Sequence, residues 1–316
     1  MKYLITGLNG FVGSYLAEQL IKENAKISGT IYPKNSIQNI THIINKIETL
    51  PCDLSSGNKI DAVIKKIKPD NIIHLAAQGY VPLSWSNPIE TCKINILGTL
   101  YLLEAVKKHC HNTKILFVGS GDEYGISAYK NSITEKTPLT PHNPYSVSKT
   151  CADLLAEQIG KYNHLHIVRV RAFLHAGPKQ SPDFVISNFS KQIALIEKGK
   201  QSPEIKVGDL KYTRDFTDVR DIASAYLLAI KKGENGAVYN ISSGKVHNIR
   251  EILNKLLNLT DKKIRISVDP ERLRVQDHYI KNISSAKFRK VTGWRPEIPL
   301  NRTLEDTLNW WREQIK

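Results

Sequence analysis

Short apolar runs alternate with amphipathic stretches through the first half of the chain. KYLIT opens it as a strand, followed by glycines and a helical pattern through Phe11, Leu16, Leu20 and Ile21. KISGTIY predicts the next strand, IETLPCDL a strand end, Ile60–Ile67 a helix, and NIIHLAA a further strand. A long helix is expected over about Ile89–Lys108, then KILFVGS as a strand. A helix starting near Pro144 and running to about Tyr162, and the strand LHIVRVRAF, complete the series. The strands are apolar throughout rather than alternating, so both faces of the sheet are covered. Strand–helix alternation of this kind makes a parallel sheet joined by right-handed crossovers. The expected fold class is therefore α/β, a Rossmann-type doubly wound parallel sheet.

After about residue 172 the pattern loosens, punctuated by Gly177-Pro178, Ser181-Pro182 and Ser202-Pro203. Helices are expected at about Phe184–Glu197, Val219–Lys231, Ile249–Leu257 and Leu304–Glu313, separated by short strands. The expected organisation is a nucleotide-binding domain over 1–171. A smaller C-terminal α/β domain over 172–316, mainly for substrate, sends some segments back to the first. A ligand belongs in the crevice between them, beyond the carboxyl ends of the strands.

Composition narrows the class. The 316 residues are 41% hydrophobic and 24% charged, which excludes a disordered tail or a collagen-like repeat. No run approaches the ~18 apolar residues of a membrane span. MKYLITG has no signal-peptide core, so a cytoplasmic protein without a membrane partner is expected. Lys and Arg number 45 against 30 acids, a net charge of +15. They are scattered, and doublets such as Lys65-Lys66 and Lys107-Lys108 fall on expected helix faces, so they read as solvated surface rather than a nucleic-acid patch. Cys52, Cys92, Cys110 and Cys151 have no metal-like or redox-like spacing and fit reduced thiols. His164 and His166 alternate on one strand face, but no third ligand joins them and no metal is expected. Trp310-Trp311 is expected to be core packing.

The candidate chemistry begins at Thr6-Gly7-Leu8-Asn9-Gly10-Phe11-Val12-Gly13, between the first strand and the first helix. Gly7 allows the tight turn, Gly10 lets the backbone approach a pyrophosphate, and Gly13 lets helix and strand pack closely. GxxGxxG in this context is a dinucleotide fingerprint. An acid ending the second strand would hold the ribose 2′-hydroxyl of NAD. The stretch here, Ser28-Gly29-Thr30-Ile31-Tyr32-Pro33-Lys34, has no acid and one lysine. No carboxylate repels a 2′-phosphate, so NADP is favoured over NAD, with Thr30 and Lys34 beside it. Asp53 and Leu54 are placed to meet the adenine, with a helix N-cap as the alternative for Asp53.

Tyr145-Ser-Val-Ser-Lys149 is the only Tyr-x-x-x-Lys in the chain. Residues i and i+4 share one helix face, so phenol and ammonium can reach the same ligand. A nearby cation favours the phenolate, which lets a tyrosine act as general acid or base near neutral pH. The strand KILFVGS delivers Ser120 to its carboxyl end, where a hydroxyl could bond the reacting carbonyl. Asp122 and Glu123 follow as capping acids, solvent-facing acids or, for one of them, a substrate contact.

TGxxGxxG, the single YxxxK, NIIHLAA and Ile94-Asn95-Ile96-Leu97-Gly98-Thr99 together resemble the extended short-chain dehydrogenase/reductases, which act mainly on nucleotide-activated sugars. The likeness runs on through Ala172–Pro178, Arg214–Asp221, Tyr239–Gly244 and Thr292–Pro296, and so covers nearly the whole chain. Within the family the chain looks most like reductases of GDP-linked 4-keto-6-deoxy-mannose, with GDP-mannose 4,6-dehydratases as neighbours. The resemblance implies a reduction yielding GDP-D-rhamnose or a close analogue, with a dehydratase or epimerase as the alternative and a non-catalytic cofactor sensor as the alternative outside the enzymes. It implies that Tyr145 donates the proton, that Lys149 anchors the nicotinamide ribose and lowers the tyrosine pKa, and that Ser120 orients the carbonyl. Asn95 becomes the helix asparagine, Leu75, Ala76, Ala77 and His175 lie along the cofactor, and Asp122, Val185, Asn188, Val207, Arg214, Arg274 and Asp277 meet the nucleotide sugar. A homodimer through the Ile89–Lys108 and Pro144–Tyr162 helices is also implied. Two departures stand out. Leu174 replaces an asparagine that could bond the substrate phosphate, and Asp122 stands where the dehydratases carry a longer glutamate.

Overall fold

The computed structural model describes residues 1–129, 132–272 and 282–315. Its centre is a seven-stranded sheet of β1 (Lys2–Thr6), β2 (Lys26–Ile31), β3 (Glu48–Pro51), β4 (Asn71–His74), β5 (Lys114–Ser120), β6 (His166–Ala172) and a last strand, Val238–Ile241. The order is β3-β2-β1-β4-β5-β6 and then Val238–Ile241, with every pairing parallel. The chain winds outward from β1 in one direction and from β4 in the other. The crevice where the order reverses opens at the carboxyl ends of β1 and β4.

Successive side chains of each strand enter opposite cores. Tyr3, Ile5, Ile73, Leu116, Val168 and Val170 pack under α1 (Phe11–Lys22) and α8 (Val219–Lys232). Leu4, Ile72, Ile115, Phe117 and Ile167 pack against α2 (Gly57–Ile67), α5 (Gly98–His109) and α6 (Pro144–Tyr162). Two apolar faces per strand are the reason the strands read as unbroken apolar runs.

The segment expected as one helix over Ile89–Lys108 is instead α4 (Pro88–Cys92), a π-helical turn at Lys93–Leu97, and α5. Apolar periodicity continues through it, so the extra backbone residue leaves no mark on the pattern. The short helix α3 (Val81–Ser86) and a 3₁₀ stretch at Gln38–Lys46 add to the expected elements.

Beyond Ala172 the chain is divided. Helix α8, Val238–Ile241 and α10 (Ala286–Thr292) pack on the sheet. Helices α7 (Val185–Glu197), α9 (Ile249–Leu257) and α11 (Leu300–Gln314) enclose a separate apolar cluster with Ile205, Val207 and Phe216. Trp311 is buried there and donates its indole N–H to Ser187 Oγ at 2.9 Å, and Trp310 meets it edge-on with ring centroids 4.8 Å apart. A seam joins the halves. Phe11 stacks on His175 at 5.9 Å, and the Tyr15 hydroxyl donates to the Pro178 carbonyl. Among the described residues no helix is long and apolar enough to cross a membrane.

Candidate active site

The first turn after β1 is backbone built around two absent side chains. Gly7 has φ +73°, and a Cβ there would lie 3.1 Å from Ala76 Cα. A Cβ on Gly13 would lie 2.5 Å from the Gly7 carbonyl oxygen, so only glycine lets the start of α1 sit against the turn. No side chain caps α1, and its first turn carries no acid. The N–H groups opening the helix and its dipole therefore face the crevice unneutralised, which fits a dinucleotide pyrophosphate. Asn9 is held beside the turn by donating to the Ser36 carbonyl at 2.9 Å, and Thr30 Oγ1 accepts the Gly7 N–H. Lys34 is exposed on the loop after β2, with no acid between it and the strand. Asp53 accepts from the Ser55 N–H and hydroxyl at 2.9 and 2.8 Å, closing its own turn, while Ser56 stands at the N-cap of α2. Leu54 is buried against Gly98.

A chain of polar groups ties this turn to the catalytic helix. Thr6 Oγ1 accepts the N–H groups of Leu75 and Ala76, both at 3.1 Å, and meets His74 Nδ1 at 2.8 Å. His74 Nε2 meets Thr99 Oγ1 at 3.2 Å, and that hydroxyl donates to the Asn95 carbonyl. One assignment satisfies every partner: Thr6 donates to Nδ1, and Nε2–H donates to Thr99. Burial, with Lys149 adding, pushes the imidazole down to about 3, so His74 is a neutral link. The Asn95 side chain accepts the Gln78 N–H and donates to the Gln78 carbonyl and to Ser148 Oγ, and Ser148 donates to the Tyr145 carbonyl. Asn95 thus braces the loop carrying Leu75, Ala76 and the exposed Ala77 against the start of α6.

That start is fixed by its own chemistry. Asn143 accepts the Ser146 N–H at 2.8 Å, and Ser146 Oγ accepts the Asn143 N–H in return, a capping box with Pro144 in the first turn. Tyr145 and Lys149 follow on one face. The Ser120 hydroxyl lies near enough to the Tyr145 phenol to favour its ionised form, and Ser120 Oγ accepts the Asp122 N–H at 3.1 Å. Lys149 Nζ donates to the Val118 carbonyl at 2.6 Å and lies 4.9 Å from the centre of the Phe117 ring. Ser120, Tyr145 and Lys149 therefore converge at the carboxyl end of β5.

The expectation that Lys149 lowers the phenol pKa is not what the protein alone displays. Burial raises Tyr145 above its usual value, Asp122 and Glu123 add to the rise, and Ser120 opposes it. Lys149 is itself lowered by burial against the support of Glu123 and Asp153, and its ammonium is turned to the Val118 carbonyl. The phenol is accordingly protonated at neutral pH and equipped to donate. Glu123 also departs from a capping or solvent-facing acid: it is fully buried, and its Oε1 accepts the Ser120 N–H at 2.7 Å.

On the other wall, Arg214 is half-buried and 5.8 Å from the Tyr212 ring centre. Burial lowers the His142 pKa, with Asp122 opposing and Arg214 adding. Asn188, on α7, donates to the Pro182 carbonyl and accepts from Gln192 and from Arg272 Nη1, the last at 2.7 Å. Val185 opens the same helix half-buried. The Val207 side chain is buried in the C-terminal core rather than facing the crevice. His175 is turned to Phe11 and to the Phe173 carbonyl. Arg274 and Asp277 lie outside the described residues. Arg272 is a cation that sequence reasoning passed over, although it stands two residues before one that was chosen. Among the described residues no group of three or more His, Cys, Asp or Glu could hold a metal.

A doubly wound sheet with an open glycine turn, and Ser, Tyr and Lys gathered at the next strand end, defines a nicotinamide-dinucleotide enzyme of the extended short-chain dehydrogenase/reductase class. The family model for GDP-mannose 4,6 dehydratase matches residues 4–307, and the chain belongs to that family. It is 34% identical over its full length to a GDP-6-deoxy-D-mannose reductase of Pseudomonas aeruginosa, covering 98% of that protein. Two solved structures superimpose on it. RMD from Pseudomonas aeruginosa complexed with NADPH gives a TM-score of 0.85 at 34% identity, covering 99% of each chain. A dTDP-glucose 4,6-dehydratase of Bacillus anthracis in complex with NAD also gives 0.85, at 27% identity, covering 100% of this chain and 97% of that one.

Proposed function

We propose that the protein reduces the 4-keto group of GDP-4-keto-6-deoxy-D-mannose, or a close analogue, with NADPH. The observation that carries the reading is the gathering of Ser120, Tyr145 and Lys149 at the carboxyl end of β5 in a chain alike end to end to a GDP-6-deoxy-D-mannose reductase. A ketone reductase needs a proton donor in its resting state. A dehydratase or epimerase must first take a proton from the sugar hydroxyl, which the same tyrosine would have to accept as phenolate.

The glycine turn, Leu75, Ala76 and Lys34 would hold the dinucleotide, with the Lys34 ammonium meeting a 2′-phosphate that no nearby acid repels. When bound, NADPH supplies the hydride that reaches C4. Tyr145 passes its proton to O4, and Ser120 fixes the carbonyl so that the developing charge meets a donor already in place. Lys149 bonds the ribose and holds positive charge beneath the phenolate left behind, which regains its proton from solvent. Arg214 offers a forked donor to the diphosphate, and Arg272 with Asn188 a second polar edge to the nucleotide. The shorter Asp122 disfavours removal of a C5 proton. The test is stoichiometry: one NADPH is oxidised per GDP-sugar reduced. Product formed with no net NADPH consumption would mean a dehydratase or epimerase.

The working unit in this reading is a cytoplasmic homodimer. Ile89 is 72% exposed, and Leu97, Val147 and Leu154 are exposed beside it on the packed α4, π-turn and α6 surface. A second copy covers this apolar strip. Light scattering in solution should give twice the chain mass, and a monomer mass removes the dimer.

A further inference from the structure

Behind the site lies a buried group of charges that the proposed reaction does not itself use. Glu123 is 0% exposed. Its Oε1 accepts the Ser120 N–H at 2.7 Å, and its Oε2 lies 3.2 Å from Arg171 Nε as an ion pair. Arg171, on β6, also pairs with Asp153 Oδ2 at 2.6 Å and donates to the Tyr124 hydroxyl. Asp153, on α6 one turn after Lys149, bonds Arg169, which pairs with Glu157. The strand leaves room for the carboxylate: a Cβ on Gly119 would stand 2.5 Å from Glu123 Oε1 and 3.0 Å from the Val170 carbonyl oxygen of β6. Burying a carboxylate in this way is costly unless its partners are set in place, as Arg171 and the Ser120 N–H are here.

We propose that Glu123 is a positioning residue: its carboxyl group aims Ser120 through the Ser120 backbone N–H, and its charge supports the ammonium of Lys149. This rests on the reading that residues 120, 145 and 149 act together on the sugar carbonyl. Ser120 ends β5, and its N–H is the last point at which the backbone can be held before the hydroxyl turns into the crevice. The groups facing Glu123 are the Ser120 N–H from β5, Arg171 from β6, and Asp153 and Lys149 from α6. Those facing Lys149 are Glu123, Asp153, the Val118 carbonyl, the Phe117 ring and, from β4, neutral His74. Burial, with Asp153 adding, raises the Glu123 carboxyl, and Arg171, the Ser120 N–H and Lys149 pull it back toward the charged form.

The two roles separate experimentally. Glu123→Gln keeps an acceptor for the Ser120 N–H and removes the charge. With lysine-selective carbon-13 labels in the full chain, and Lys149 assigned through Lys149→Arg, its titration midpoint without substrate should fall by about one unit. The alkaline limb of kcat should move to lower pH by the same amount. Glu123→Asp, which keeps the charge, should restore most of the midpoint. An unchanged midpoint in the Gln variant, or an Asp variant that titrates like Gln, overturns the charge role. Gly119→Ala tests the aiming independently, and stands if the Gln variant fails to fold. Displacing the carboxylate should lower kcat at neutral pH about tenfold while KM stays within about twofold, and an unchanged kcat overturns that role. The Lys149 titration needs no turnover, so a wild-type chain inactive on the 4-keto sugar would refute the proposed reaction and leave this test intact.

Discussion

The sheet half and the C-terminal half hold their polar groups in different ways. Around β5 and α6 the working groups are braced close to the backbone: the start of the Tyr145 helix by the Asn143–Ser146 box, Ser120 by Glu123, Lys149 by the Val118 carbonyl, and the cofactor loop by Thr6, His74 and Asn95. Across the crevice, Asn188, Arg272 and Arg214 sit on α7, a 3₁₀ turn and a short strand, and Arg272 is exposed. The contrast fits a division of labour. Bond-making needs atoms held to fractions of an ångström, whereas recognition of a nucleotide tolerates adjustable side chains.

Three substitutions probe this division. Tyr145→Phe removes the proton donor but none of the bracing, so kcat should fall by about 10²–10⁴ with NADPH affinity unchanged; fluorescence titration and initial rates measure the two separately, and near-native turnover would remove Tyr145 from its role. Ile205→Ala hollows the C-terminal core, where Ile205 is fully buried, and should cost about 2–5 kcal/mol in denaturant unfolding. A separate early transition that spares NADPH binding would show the two halves unfolding independently, and a single transition would show the seam uniting them. Arg272→Ala should raise KM for the GDP-sugar about tenfold with kcat little changed, since a charged hydrogen bond contributes about 1.5–3 kcal/mol. A fall in kcat instead would mean that the C-terminal wall also positions the reacting carbon.

The parts legible in the sequence were those written in period and spacing. Apolar runs marked the strands, Pro144 marked the start of α6, and the glycines at 7, 10 and 13 marked the turn, because each constraint is local. Glu123 was not legible as a buried group. An Asp-Glu pair after a strand looks like solvated loop, and only Arg171, 48 residues on, together with the Ser120 N–H makes its burial tolerable. The π turn at Lys93–Leu97 was hidden by continuous apolar periodicity, and Val207 was chosen by resemblance although its strand turns it into the core. Ion pairs between distant strands and the facing of a side chain in a short strand are both set by tertiary packing.

The seam has a further consequence. Phe11 opens the helix that would receive the dinucleotide phosphates, and the same ring lies flat on His175 of the other half, with Tyr15 one turn later reaching the Pro178 carbonyl. The two halves are therefore stitched together beside the place where the phosphates would lie, so a change in either ring is felt at the doorway of the crevice.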